Sequence, residues 1–134
     1  LQAGCSSKKE IVKIDPDYES NIESEVKNFK TGIDIPMVTI QDIIDTYKIP
    51  KSSVLKIDCE GCEYDILENI SSNTLSYFSN IQIEYHRGYE SLKLKLESMG
   101  YEVRITEPCA TNVINTFFSI FMTQSFSTFC LFSP

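Results

Sequence analysis

The residues best suited to chemistry lie in two small clusters, each at the end of an apolar run. Asp58 and Glu60 follow the run at 54–57, and Glu84 and His86 lie at the end of a second run. If both runs are neighbouring parallel strands, their carboxyl ends meet at one edge, where open α/β sheets bind ligands. Carboxylates there can orient or deprotonate a hydroxyl, and histidine normally titrates near neutral pH.

Each of these residues also has a purely structural interpretation. Asp58 or Glu60 can accept backbone N–H groups at the start of the following helix, where negative charge is favoured. Glu63 falls in the first turn of that helix, so capping or solvent exposure is its expected role. A single histidine after a strand is more often a surface or hydrogen-bonded residue than a catalyst. None of these signals is specific by itself.

The five cysteines are Cys5, Cys59, Cys62, Cys109 and Cys130. An odd number does not indicate a disulfide framework, so a reducing cytoplasm is the expected compartment. Cys59 and Cys62 have the C-x-x-C spacing, but zinc needs further ligands, and the other cysteines and the histidine are scattered. The acidic residue between them disfavours a reactive thiolate. We therefore expect both to be small, partly buried packing residues and expect no metal site.

Length and charge limit the possible classes of protein. The 134 residues allow one domain with a hydrophobic core. A net charge of −7 and the lack of a Lys/Arg cluster argue against a nucleic-acid-binding surface, which needs such clusters. An anionic membrane surface is disfavoured for the same reason.

The hydrophobic pattern predicts alternating strands and helices. Thr39 is the expected N-cap of the first convincing helix, with Asp42 in the acidic position of a capping box, and Gly100 is an expected C-terminal cap. The polar stretch 17–30 is predicted to be a surface loop or a loosely held helix. The predicted elements are, in order, a strand at 11–14, a helix at 39–47, a strand at 54–58, a helix at 63–70, a strand at 81–85, a helix at 89–99 and a strand at 101–105.

This alternation predicts an α/β layered domain with a largely parallel sheet. The strand at 54–58 is apolar almost throughout, which is typical of a strand covered on both faces. In the first helix the apolar positions Ile40, Ile43, Ile44 and Tyr47 form one stripe that we expect to be buried.

Residues 108–134 differ from the rest of the chain. They contain no charged residue and six of the eight phenylalanines. We predict a final strand packed on the core or an aberrant end, ahead of a membrane span, because Asn115, Gln124 and many Ser and Thr make the stretch polar. The expected division is therefore 1–107 as the main unit and 108–134 as an uncharged tail.

The segment from Leu55 to Leu67 reads LKIDCEGCEYDIL and resembles the "LKIDVEGAEYDVL" stretch of FkbM-type methyltransferases. Cys59 and Cys62 stand there in place of small apolar residues. Three further motifs of that family have similar counterparts in the same order, at 36–44 ("v.tLddl"), 81–86 ("i.iE.H") and 96–103 ("L...Gy.v"). The resemblance covers roughly residues 36 to 105.

The resemblance implies transfer of a methyl group from S-adenosylmethionine, typically to a hydroxyl oxygen of a small molecule or sugar. It implies a Rossmann-like class I fold, with a mostly parallel sheet and flanking helices. Asp58 would follow the fourth strand and face the cleft, with Glu60, Glu84 and His86 as supporting residues.

One part of the family pattern has no counterpart in this chain. The glycine-rich loop after the first strand, similar to "DvGAn.G", and the acidic residue after the second strand are both missing. Ala3 to Cys5 resembles the tail of the third-strand region. We therefore expect the carboxyl-terminal part of a methyltransferase domain, with its early strands missing and its cofactor-binding residues unassigned, which binds S-adenosylmethionine poorly alone. The alternatives are a redox or metal-binding module using Cys59 and Cys62, and a non-catalytic interaction protein.

Overall fold

The computed structural model describes residues 3–14, 30–59 and 61–106, together with the backbone of 119–124. Strands and helices alternate through most of the chain, which makes the architecture mixed α/β. The elements are β1 (Gly4–Cys5), β2 (Glu10–Ile14), β3 (Ile33–Val38), α1 (Ile40–Tyr47), β4 (Ser53–Ile57), α2 (Cys62–Asn69), α3 (Ser72–Leu75), β5 (Phe78–Glu84), α4 (Glu90–Ser98), β6 (Tyr101–Ile105) and β7 (Ser119–Gln124).

The strands form two sheets, one of three strands in the order β1-β3-β2 and one of four in the order β4-β5-β7-β6. In the larger sheet β4 and β5 pair in parallel, and β7 lies antiparallel between β5 and β6. β4, β5 and β6 therefore run in one direction. The expected parallel sheet is confirmed in part: β4 and β5 pair in parallel, but antiparallel β7 separates β6 from them, and the smaller sheet combines a parallel and an antiparallel pair.

Most predicted elements are confirmed at nearly the predicted ends, although β5 begins at Phe78 rather than Ile81. Two elements were not predicted. The first is the short helix α3, for which the Ser71 side chain accepts the N–H of Thr74. The stretch around Gly32 and Pro36 is the strand β3, paired antiparallel with β2.

A proline inside β3 is tolerated because of its place in the smaller sheet. β1 pairs only with Met37 and Val38, so at Pro36 the strand has a hydrogen-bonded neighbour, β2, on one side alone. Proline lacks the N–H that a strand needs when it is paired on both sides. Glycine and proline are typical of loops, but the pairing with β2 makes this stretch a strand.

One hydrophobic cluster joins the four helices to the larger sheet. Three of its residues, Leu67, Ile83 and Leu96, are fully buried, one each from α2, β5 and α4. Tyr101 of β6 closes the cluster, because its hydroxyl contacts the carbonyl oxygens of Leu75 at 2.7 Å and Phe78 at 3.0 Å. The other buried members are Ile40, Ile44, Ile57, Ile66, Leu75, Phe78, Ile81, Tyr85 and Leu92.

β4 is covered on one face only, contrary to the expectation from its apolar sequence. Val54 is 69% exposed, and Lys56 on the same face is exposed too. The register places these two residues beside Asn80 and Gln82 of β5, so this face of the sheet is polar where β4 and β5 meet. The opposite face carries Ile57 and the core.

The helix α1 begins with the predicted capping box. The Asp42 N–H donates to the Thr39 hydroxyl at 3.2 Å, and the Asp42 carboxylate accepts from the Thr39 N–H at 3.0 Å. Hydrogen bonds from Lys9 and then from Thr39 lower the pKa of Asp42 from 3.8 to about 2. This carboxylate therefore stabilises the fold above pH 3.8 and loses its contribution as the pH falls towards 2.

Tyr47, which was expected in the buried stripe of α1, is 52% exposed.

Three predictions concern residues that lie wholly or mainly outside the described ranges. The loop or loose helix at 17–30 lies outside the described residues, apart from Lys30. Of the tail 108–134 the structure describes only β7, and the division at residue 107 stays a prediction. Among the helices of the described ranges, none combines the length and the apolar character needed to cross a bilayer.

We predict that Thr39→Ala lowers the free energy of unfolding by about 1 kcal/mol, because the first turn of α1 loses its side-chain cap. Urea unfolding at neutral pH measures the change. Thr46→Ala is the matched control, since Thr46 is exposed in the same helix and alanine is the better helix former. An equal loss in both variants would contradict the capping role.

Candidate functional site

The parallel pairing of β4 and β5 brings two acidic side chains together at the carboxyl edge of the larger sheet. Ile57 is in register with Ile83, and each is followed directly by a carboxylate, Asp58 or Glu84. The two clusters of polar residues that were predicted at the ends of the apolar runs therefore lie at the ends of neighbouring strands. This edge is where open α/β sheets bind ligands.

The two carboxylates influence each other. Partial burial, and then the adjacent negative charge of Asp58, raise the pKa of Glu84 above its ordinary value of 4.5. The positive charges of His86 and Lys56 act in the opposite direction. The Asp58 side chain is 41% exposed, and its Oδ2 lies 3.2 Å from the ammonium group of Lys56. Asp58 is thus the more accessible of the two carboxylates, and the raised pKa of Glu84 favours its neutral form.

A tight turn follows Asp58 and leads into α2. Gly61 is the N-cap residue and has φ 111°, a conformation that favours glycine. A Cβ at this position would lie 3.0 Å from the guanidinium of Arg87. Cys59 and Cys62 bracket the turn and form a disulfide with each other. Both pack against the core as predicted, but the bond between them was not predicted.

Glu63 is fully buried directly behind this turn. Its Oε2 accepts the Gly61 N–H at 2.8 Å, and its Oε1 lies 3.1 Å from Nδ1 of His86. The Cys59 sulfur lies 3.6 Å from Oε2, but a disulfide sulfur has no hydrogen to donate. The capping role expected for Glu63 is confirmed, and solvent exposure was wrong because the carboxylate lies between the turn and His86.

The segment after β5 is fixed to α2 through Tyr64. Its hydroxyl donates to the Gly88 carbonyl at 2.9 Å and accepts the Arg87 N–H at 2.5 Å. Burial is the largest influence that raises the pKa of Tyr64. The Arg87 guanidinium lies over the Tyr64 ring at 5.2 Å and donates to the Gly61 carbonyl at 3.3 Å. The chain around His86 is therefore tied to the turn that follows β4.

The site lies within the segment that a family comparison matches. A model of the methyltransferase FkbM domain matches residues 3–103, about three quarters of the 134 residues. The chain belongs to the FkbM methyltransferase domain family. No curated protein and no solved structure matched this chain.

The FkbM domain brings three of the four predicted site residues into one region. Asp58 and Glu84 are adjacent, and His86 is close enough for its charge to affect the pKa of Glu84. Glu60 lies outside the described residues. Sequence reasoning missed Glu63 as a partner of His86, although an acidic residue two positions after a helix-capping glycine was a usable signal.

A cavity elsewhere in the FkbM domain is less suited to proton transfer. It has a volume of about 200 Å³ and is lined by residues of α1, α2 and α3, of the turns beside them, and of the segment that follows β1. Its described lining residues are all uncharged, and those with partners bond within the protein, as Thr74 does to Gln41 at 2.8 Å. The cavity shares no residue with the carboxylate edge, where the groups able to take a proton lie.

We predict that Glu84→Gln stabilises the protein at pH 7. A raised carboxyl pKa means that the folded state favours neutral Glu84, so its ionisation at higher pH costs stability that glutamine does not lose. The gain should shrink as the pH falls from above the raised pKa of Glu84 towards 4.5, and little should remain below 4.5, where the wild-type side chain is neutral in the folded and the unfolded chain. Thermal unfolding across this pH range measures it, with exposed Glu97→Gln as the control. A gain that does not depend on pH would contradict the assignment.

Proposed function

We propose that this FkbM domain takes part in S-adenosylmethionine-dependent methyl transfer to a hydroxyl oxygen of a small molecule or sugar. The observation that carries the proposal is the pair Asp58 and Glu84 at the carboxyl edge of β4 and β5. This pair lies inside the matched family segment, beside a histidine held by a buried carboxylate. Family membership supports the reaction type, and the carboxylates and imidazole support a hydroxyl as the acceptor.

We also propose that the larger sheet is the carboxyl-terminal part of a Rossmann-like class I methyltransferase fold. Three strands that run in one direction, with helices between them, support this proposal. In such folds a ligand lies across the carboxyl ends of the strands. We accordingly assign the acceptor to the edge formed by Asp58 and Glu84.

Asp58 is the residue proposed to touch the acceptor hydroxyl. Its exposed carboxylate can accept the hydroxyl hydrogen bond and take up the proton while the oxygen is methylated. S-adenosylmethionine supplies an activated methyl group, so the protein has to position the acceptor and remove its proton. Glu84 lies next to this position and His86 lies near Glu84, so the two can receive the proton in turn before the next cycle. Glu60 is proposed as a further support.

The donor groups of this chain fit the acceptor side of the reaction better than the cofactor side. Two carboxylates and an imidazole suit a hydroxyl, but a loop that holds the methionine part of the cofactor needs closely spaced glycines. Gly4, Gly32, Gly61, Gly88 and Gly100 are widely separated in the sequence. We propose that residues beyond these 134 supply that loop, that the partner is a small molecule rather than a nucleic acid, and that the protein acts in the cytoplasm.

We predict that Asp58→Asn reduces kcat for methyl transfer about 100-fold or more, because the acceptor loses its proton-accepting contact. The assay follows transfer of a labelled methyl group to a panel of sugar and small-molecule alcohols. It uses the longest natural form of the protein. Asp45→Asn is the control, since Asp45 is exposed on α1.

Isothermal titration with S-adenosylmethionine accompanies this assay. The longest natural form should bind, and the 134-residue chain should bind more weakly. Absence of binding to both would remove the basis of the methyltransferase proposal. Equal kcat for Asp58→Asn and the control would instead overturn the role given to Asp58.

The disulfide between Cys59 and Cys62 favours a second candidate function, a reversible dithiol–disulfide pair. In the described part of the chain, no group of three or more His, Cys, Asp or Glu side chains is placed to hold a metal ion. A redox role for the two cysteines is therefore better supported than a metal role. The bond encloses the turn beside Asp58, so reduction would act on the methyltransferase site directly.

We predict that the peptide containing Cys59 and Cys62 is lighter by two hydrogen atoms before reduction than after it. Mass spectrometry of protein digested under thiol-blocking conditions measures this difference. Cys5 is a free thiol and serves as the internal control, so it should carry the thiol-blocking group in both samples. Full blocking of Cys59 and Cys62 without reductant would show two thiols and remove the redox candidate.

A further inference from the structure

We propose that Glu63 is a positioning residue for His86. Its buried carboxylate accepts a hydrogen bond from Nδ1, so that the neutral form of the imidazole carries its proton on Nδ1 and Nε2 is the nitrogen that receives a proton from the site. The proposal rests on the proposed function for the direction of proton transfer. The part of the proposal that concerns the tautomer of His86 can be tested without any methyl transfer.

The contacts of the Glu63 carboxylate determine where the His86 proton lies. A carboxylate accepts hydrogen bonds and, when ionised, has none to donate. Oε2 receives the Gly61 N–H at 2.8 Å, and Oε1 is 3.1 Å from Nδ1 of His86. The Cys59 sulfur is in a disulfide and has no hydrogen. With Glu63 ionised, Nδ1 carries the proton that joins the imidazole to Oε1, because an ionised carboxylate can only accept a hydrogen bond.

The surrounding structure holds this arrangement from both sides. Glu63 has no exposed surface, and a carboxylate taken out of water is costly unless it is hydrogen-bonded. Gly61 presents its N–H from a turn closed by the disulfide, and Arg87, next to His86, is bound to that turn and to Tyr64. The His86 side chain remains 25% exposed. One side of the imidazole thus contacts a buried anion while part of the ring still reaches solvent.

The charges near His86 agree with a role in passing on a proton. Glu63 on α2, Glu84 at the end of β5, and Arg87 next in the chain are close to it, with Asp58 beyond Glu84. During transfer the acceptor O–H bond breaks and its proton goes to Asp58, while the oxygen lone pair forms the new bond to the methyl carbon. Bound S-adenosylmethionine would supply that methyl group and would leave with the electron pair of its C–S bond. The proton then moves by way of Glu84 to Nε2 of His86 and finally to water, and the Glu63 carboxylate balances the imidazolium charge.

The chain has a single histidine, so nitrogen NMR of ¹⁵N-labelled protein reports His86 without any assignment problem. At a pH where the imidazole is neutral, we expect Nδ1 to show the shift of a protonated ring nitrogen and Nε2 that of an unprotonated one. A protonated Nε2 in the folded wild-type protein would overturn the proposal. This measurement needs no variant, so a variant that fails to fold leaves it intact.

Glu63→Gln sharpens the test, because glutamine has one oxygen and one NH₂ group where glutamate has two oxygens. The Gly61 N–H is a fixed donor, so the amide oxygen should turn towards it and the NH₂ group towards Nδ1. We expect the proton to move to Nε2, a complete reversal of the two nitrogen shifts. Glu68→Gln, an exposed position on the same helix, should keep the wild-type pattern.

The two outcomes separate this inference from the proposed function. An unchanged tautomer in folded Glu63→Gln would show that Glu63 does not set it, whatever the enzyme activity. A reversed tautomer together with no S-adenosylmethionine binding in the longest natural form would keep the positioning role and reject methyl transfer. In an active form, the reversal should lower kcat more than it changes KM, since only proton transfer is affected.

Discussion

The parallel pairing of β4 with β5 is the constraint on which the rest of the site depends. Parallel strands end at the same edge, so the register of Ile57 with Ile83 places Asp58 beside Glu84. The same pairing brings the turn after β4 next to the segment after β5, where Glu63 meets His86. A shift of one residue would turn the side chains of β5 to the opposite face and separate these groups.

The site combines groups that are unfavourable for stability with structure that supports them. A buried glutamate and two adjacent carboxylates cost free energy, and the core of α2, β5 and α4 supplies the stability that tolerates them. The cost is limited by hydrogen bonds, since Glu63 has a backbone donor and an imidazole. Groups held in this manner keep their geometry before a ligand arrives, which is a requirement for efficient proton transfer.

The disulfide between Cys59 and Cys62 adds a covalent link across the turn between β4 and α2. The two residues are only three positions apart, so closing this loop adds roughly 2 kcal/mol at most. The bond therefore acts mainly on the local conformation of the turn, next to Asp58 and behind Gly61, and contributes less to the whole domain.

The sequence by itself determined most of the larger sheet, its helices and the identity of three carboxyl-edge residues, because hydrophobic periodicity and caps are local signals. Thr39 with Asp42 and Gly100 marked helix ends that the structure confirms. Only the tertiary structure decided that the stretch around Pro36 is a strand, that one face of β4 is open, and that Glu63 is buried against His86. These features depend on pairing and packing between residues far apart in the chain, such as Glu63 and His86, 23 positions apart. Local residue types do not specify which distant partner a side chain meets.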